Sequence, residues 1–476
     1  MKFTFHFVLK LTAIVIFSNS FDISRLRTIN KIRNFKVFAI EDWYKSEGIK
    51  NEDVKLKFIC EEGLASAALA KSAFKKGDMI FSMPLGLCLD TGKATAKFSS
   101  ILNLSRLRTG QFGLLALLLL SEKALGSKSK YYEYIQTLDR FPPGILSWSA
   151  AELEELLNST TRKMNSQFDA INDDLKYIEN LRSLSLPSSI YNVDEFRWAV
   201  GIVKSQYVVP EQQPIIVPGM HFIDFDPLAE NEPIIASAGM FGGKVVKILT
   251  DRSYESGDRV CMSLGLKSSA ECLEDHGFVP EVDLRDCSCE IAVSIEEEVD
   301  KYPDDKVTIL EDNGFRSSMQ FDLLADPSSE IDPDLMRFLR LKLISGKDSF
   351  ILESCFMSVV FRTLESPFSK ANELAVCQYL LNFAEKSLAK VNTVASNEED
   401  LLKCEKEDPY GIPFALSQLR IQERAALQET INKMSLNILN IQGPADKREY
   451  YQERRLRELD LLRPLDESEI VNTWEG

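Results

Sequence analysis

The chain has 476 residues, 45% hydrophobic and 27% charged, which is the balance of a globular protein with more residues than one ordinary core serves. Its formal charge of −16 is uneven, because residues 1–38 hold seven Lys and Arg against the single acid Asp22, leaving −22 on the rest. So acidic a body argues against a nucleic-acid partner and suits a cationic protein substrate. Nine cysteines without a C-x-x-C pair do not make a disulfide framework, and a reducing compartment is the simpler reading. Cys287 and Cys289 form a C-x-C with no further cysteine at ligand spacing, and His221 and His276 are the only histidines beyond the first residues. No metal site is expected.

Phe3 to Phe17 is mostly apolar, too short to span a membrane, and is followed by the small residues Ser18-Asn19-Ser20 that suit a signal peptidase. Phe21 to Phe38 is basic, hydroxylated and nearly free of acids, as transit peptides are. Residues 1–38 therefore read as a bipartite leader to a plastid (chloroplast) reached through the secretory route, with a plain secretory-pathway signal as the alternative. No membrane span is expected in the mature chain.

A helix is expected around Glu41-Asp42-Trp43-Tyr44. The alternation of Val54, Leu56, Phe58 and Cys60 predicts a half-buried strand, and a Lys76-Gly77-Asp78 turn leads into a second strand, Met79 to Pro84. Residues 100–200 are helical in period, with the nine-residue apolar run Phe112 to Leu120 as a buried helix and Trp148, Phe168, Tyr177 and Trp198 as core residues. From Ile215 the pattern is strand-like again, and Val245–Leu249 and Arg259–Met262 read as a pair of strands around a Gly257-Asp258 turn. After Cys289, amphipathic segments over Asp334–Asn392 and Pro413–Leu462 predict an all-helical second domain.

The stretch Glu255 to Pro280, ESGDRVCMSLGLKSSAECLEDHGFVP, resembles the end of a SET domain, with Lys267 to Leu273 in place of the family's K-S-N-A-E-L-L and His276-Gly277-Phe278-Val279 in place of Y-G-F-V. Phe338–Glu353, FLRLKLISGKDSFILE, and Glu449–Leu459, EYYQERRLREL, are similar to the C-terminal domain of the Rubisco large-subunit methyltransferase-like subfamily. The resemblance runs from Phe38 to the C-terminus. It implies an α+β fold: a β-rich SET domain over 39–299 with a helical insertion at about 100–200, then an all-α substrate-binding domain over 300–476. In such a fold Val54–Cys60 and Arg259–Leu264 share one sheet or core.

The resemblance also implies S-adenosyl-L-methionine (AdoMet) as cofactor and the residues that hold it. Glu62, Gly63 and Leu64 open the family's cofactor loop, which here continues with Ala65 and Ala67 where the family often has glycine. Gln206 stands where the family has an arginine for the cofactor's carboxylate. Asp224 and Phe225 stand for the Asn-His of D-x-x-N-H, where Asp224 keeps acceptors for an ammonium and Phe225 can stack but not hydrogen-bond. Leu264 and His276 take the places of two tyrosines, and an imidazole at His276 could accept a bond from a lysine. The alternative for His276 is a partly exposed helix-end residue. Two functions follow: an AdoMet-dependent protein-lysine N-methyltransferase acting on a plastid protein such as the Rubisco large subunit or fructose-bisphosphate aldolase, or a catalytically inactive SET-fold protein that binds a protein partner through its helical domain.

Overall fold

The computed structural model describes residues 36–60, 66–100, 102–180, 192–226, 229–238, 243–263, 265, 267–353, 357–408, 411–444 and 446–458. The chain divides into two compact units, Met1–Ser147 with Gln167–Leu266, and Trp148–Ser166 with Lys267–Gly476. Nearly all of the expected leader, residues 1–35, lies outside the described residues.

In the first unit a helix over 36–46 buries Ile40, Trp43 and Tyr44, the i, i+3, i+4 face of an amphipathic helix. Ten short strands follow among the described residues: β1 Leu56–Cys60, β2 Ser66–Ala70, β3 Met79–Pro84, β4 Leu89–Asp90, β5 Tyr207–Val208, β6 Ile215–Ile216, β7 Asp224–Phe225, β8 Ile234–Ser237, β9 Lys244–Leu249 and β10 Arg259–Met262. They form three small sheets, ordered β1-β2-β10-β7, β3-β9-β8 and β4-β6-β5. In the first sheet β2 pairs antiparallel with both β1 and β10, and β10 runs parallel to β7 with Cys261 opposite Asp224. The early strand and the late strand thus share a sheet, as a SET domain requires.

One pairing differs from expectation. β9 and β10 are both strands, but β9 pairs with β3 and β8 while β10 pairs with β2 and β7. Residues 250–258 between them are too long for a tight hairpin and carry the chain from one sheet to another. The expected turns are built alike: Gly77 and Gly257 have φ of 91° and 93°, and Asp78 and Asp258 each accept from the backbone N–H three residues earlier. The helix Gly110–Leu125 buries Leu114 to Leu120 without interruption against Val193–Gln206. Phe168, Tyr177 and Trp198 pack on this core from its partly buried edge.

The second unit opens with helix Ala150–Ser159, returns with Ser269–His276, and then forms an antiparallel hairpin of β11 Ser288–Ser294 and β12 Ser318–Leu324. β12 departs from the all-helical second domain. It buries Phe321 and Leu323 and exposes Gln320, Asp322 and Leu324, a period of two that a reading for helical repeats passes over. Helices Pro303–Asp312, Pro333–Lys342, Met357–Thr363, Lys370–Val394, Asn397–Lys406, Ile412–Gln442 and Tyr451–Glu458 complete it. The two longest, Lys370–Val394 and Ile412–Gln442, pack along one another and contribute Val376, Leu380, Leu427 and Met434 to one core with Phe338 and Phe368.

Candidate active site

Two groups of side chains carry the expected site residues. The first, in the first unit, begins at Pro218-Gly219. Gly219 has φ 93°, and a Cβ there would lie 1.6 Å from the Tyr44 hydroxyl, so only glycine lets Tyr44 reach the Pro218 carbonyl (3.3 Å). The turn sends His221 inward, where it is partly buried, 3.2 Å from the Thr137 hydroxyl and beside the Tyr134 ring. Desolvation of the ring pushes its pKa down to about 3, so His221 is neutral.

Gln206, the last residue of helix Val193–Gln206, accepts a 3.0 Å hydrogen bond from the Tyr134 hydroxyl. Asp224 and Phe225 form β7, both partly buried. The Asp224 carboxylate is paired with the Arg259 guanidinium from β10. Burial raises its pKa against the opposing pull of Arg259. Arg259 and Tyr134 were not singled out by sequence, and their only signal is place: Arg259 precedes the strand residue opposite Asp224 by two.

The second group, in the second unit, is built on helix Ser269–His276. Ser268 and Glu271 form a reciprocal capping box, and Gly277 closes the helix at φ 75°. His276 in the last turn is 6% exposed, which corrects the alternative of a partly exposed residue. Lys267 Nζ lies 2.9 Å from Asp275 Oδ2 and 3.1 Å from His276 Nε2. An ammonium only donates, so Nε2 is the acceptor and its single lone pair is already engaged. His276 Nε2 therefore does not have the open acceptor that the sequence reading assigned it for a lysine. Glu62, Gly63, Leu64 and Leu264 lie outside the described residues. Cys287 and Cys289 are buried at the hairpin, and no group of three metal-binding side chains occurs among the described residues. No described helix is long and apolar enough to cross a membrane.

A family model described as Rubisco LSMT substrate-binding matches residues 297–432. The [fructose-bisphosphate aldolase]-lysine N-methyltransferase, chloroplastic, of Arabidopsis thaliana is 28% identical over 439 residues, covering 88% of this chain and 86% of its own. A Rubisco large-subunit N-methyltransferase, chloroplastic, of Nicotiana tabacum is also 28% identical, over 438 residues, with 88% and 85% covered. Among solved structures, the SET domain of LSMT bound to lysine and AdoHcy superposes with a TM-score of 0.73 at 23% identity, covering 93% of this chain and 99% of that one. The fold is that of a SET domain with a helical insertion, followed by a largely helical C-terminal part. Over residues 297–432 the chain thus matches the Rubisco LSMT substrate-binding model, and over most of its length it is similar to chloroplastic protein-lysine methyltransferases and has their fold.

Proposed function

We propose that the chain is an AdoMet-dependent protein-lysine N-methyltransferase. The observation that carries this is the Asp224–Arg259 pair, set in a sheet whose topology is that of the SET fold. An adjacent carboxylate and guanidinium complement the ammonium and carboxylate of an α-amino acid, which is the end of AdoMet the family holds at this strand. Asp224 would hold the ammonium, Arg259 would supply the cation that Gln206 lacks, and Phe225 would offer a ring face to the adenine. Glu62, Gly63 and Leu64 stand where the family's cofactor loop opens, and His276 and Leu264 replace its tyrosines. When bound, the cofactor supplies an electrophilic methyl group to a neutral amine. A solved LSMT of this fold is described as bound to AdoMet, and two relatives are named for Rubisco and aldolase as substrates.

The proposed substrate is a lysine of a plastid protein, either the Rubisco large subunit or fructose-bisphosphate aldolase, in keeping with the chloroplastic relatives. The leader 1–38, SET domain 39–299 and substrate-binding domain 300–476 are the proposed division. Fusion of residues 1–45 to a fluorescent protein should enter plastids in a host with secondary plastids, and secreted or cytosolic fluorescence excludes that route. Calorimetry with AdoMet, followed by transfer of radiolabelled methyl to Rubisco and aldolase, tests the activity. A second reading, an inactive SET-fold protein that binds a partner, is favoured by Gln206, which is neutral and bonded to Tyr134. Absence of AdoMet binding at millimolar ligand decides for it.

A further inference from the structure

The catalytic reading leaves open what an imidazole does in the place of a tyrosine, and the surroundings of His276 bear on this. Lys267, Asp275 and His276 are all nearly buried, with side-chain exposures of 11% and 8% for the first two and a whole-residue exposure of 6% for the histidine. Lys267 Nζ, with three protons and no lone pair, bridges Asp275 Oδ2 and His276 Nε2. A protonated Nε2 would set N–H against N–H at 3.1 Å and two cations side by side in a low-dielectric place. The neutral ring with its proton on Nδ1 is the form that fits.

The other charges around this helix do not reverse that choice. Arg162, from the segment after Ala150–Ser159, pairs with Glu274 on the helix itself and with Glu290 on β11. Glu271 accepts from the Ser268 N–H in the capping box. Glu423, from helix Ile412–Gln442, is held by the Thr160 hydroxyl and the Thr161 N–H.

We propose that Lys267 is a positioning residue that locks His276 as a neutral Nδ1–H imidazole, so that the ring offers a fixed N–H donor and takes no proton. On the methyltransferase reading, His276 is then not the base that deprotonates the incoming lysine. It can only orient groups that accept a hydrogen bond, and the amine must arrive neutral. The lock does for the imidazole what a phenol does by its chemistry: it holds a donor across the working pH range.

With three histidines in the chain, histidine-selective ¹⁵N labelling gives three ring systems, and His276→Gln serves to assign one of them. In the full chain the His276 ring should show the Nδ1–H pattern, with shifts unchanged from pH 5.5 to 8.5. Lys267→Met should free Nε2 and let the Nε2–H tautomer appear, and Lys267→Arg, which restores a donor, should return the Nδ1–H pattern. A wild-type ring that titrates in that range, or that carries its proton on Nε2, overturns the proposal, and this measurement stands even if Lys267→Met fails to fold. A ring that keeps the pure Nδ1–H pattern in a folded Lys267→Met overturns it as well. The readout needs no cofactor: failure of AdoMet to bind sinks the methyltransferase reading alone, whereas a titrating His276 sinks the lock alone.

Discussion

Glu423 offers a quantitative test of the second unit. Its carboxylate is wholly buried on helix Ile412–Gln442, where it accepts hydrogen bonds from the Thr160 hydroxyl and the Thr161 N–H (2.8 Å). No cation is paired with it among the described contacts. Burial first, then the Glu290 carboxylate, raises its pKa from 4.5 to about 7, outweighing the hydrogen bonds from Thr160 and Thr161. A carboxyl whose pKa is raised on folding binds its proton more tightly in the folded state. Its stabilising effect is complete below the unfolded value and is lost as pH rises through about 7. At about 1.4 kcal/mol per pKa unit the shift corresponds to about 3 kcal/mol in all, most of which disappears between pH 5 and 8. Glu423→Gln cannot ionise and keeps an acceptor for Thr160, but turns an amide N–H₂ toward Thr161 at a cost of about 1 kcal/mol. Urea denaturation at several pH values, followed by hydrogen exchange of peptides from Ile412–Gln442, should find wild type losing about 2 to 3 kcal/mol relative to Glu423→Gln from pH 5 to 8. A difference between the two proteins that does not change with pH over this range refutes the argument.

Three more expectations rest on other contacts. Arg259→Gln should weaken AdoMet about ten- to hundredfold in calorimetry, the worth of one charge-assisted bond, while leaving affinity for the decarboxylated analogue unchanged; equal losses for both ligands would remove Arg259 from the carboxylate. Glu373→Gln breaks a two-pronged pair with Arg340, at 2.9 Å on both arms and buried on both sides, and should cost about 3–5 kcal/mol in denaturation because the guanidinium stays buried. Gly219→Ala drives a methyl into the Tyr44 hydroxyl at a φ of 93° and should cost at least about 2 kcal/mol, part of which Tyr44→Phe in the same chain recovers.

Much of the frame was legible because strand and helix ends carry their own chemistry. The Gly-Asp turns at 77–78 and 257–258 stand where the sequence puts them. The alternation at Leu56 and Phe58 marked β1 for the same reason. What was not legible is partnership. Nothing local tells that β9 leaves β10 for β3, since pairing is decided by sheets completed far along the chain. The site showed the same limit: residue types could be set against a family pattern, but not the bonds that engage them. That Gln206 is held by Tyr134, Asp224 by Arg259 and His276 by Lys267 depends on side-chain geometry which spacing does not encode.

The segment 148–166 lies early in the chain yet is built into the second unit, and this has a consequence for synthesis. Its anchors come late: Lys390 reaches the Leu157 carbonyl across 233 residues, Arg420 reaches Ser159 across 261 and Glu423 reaches Thr160 across 263. At roughly 5–20 residues per second of translation, the helix Ala150–Ser159 leaves the ribosome about 12–50 s before those partners exist. For that interval its inward face, with Leu156, has nothing of its own unit to cover it. A nascent chain paused at about residue 270 therefore carries this helix with its Leu156 face uncovered by its own unit, the kind of surface that chaperones bind and proteases cut.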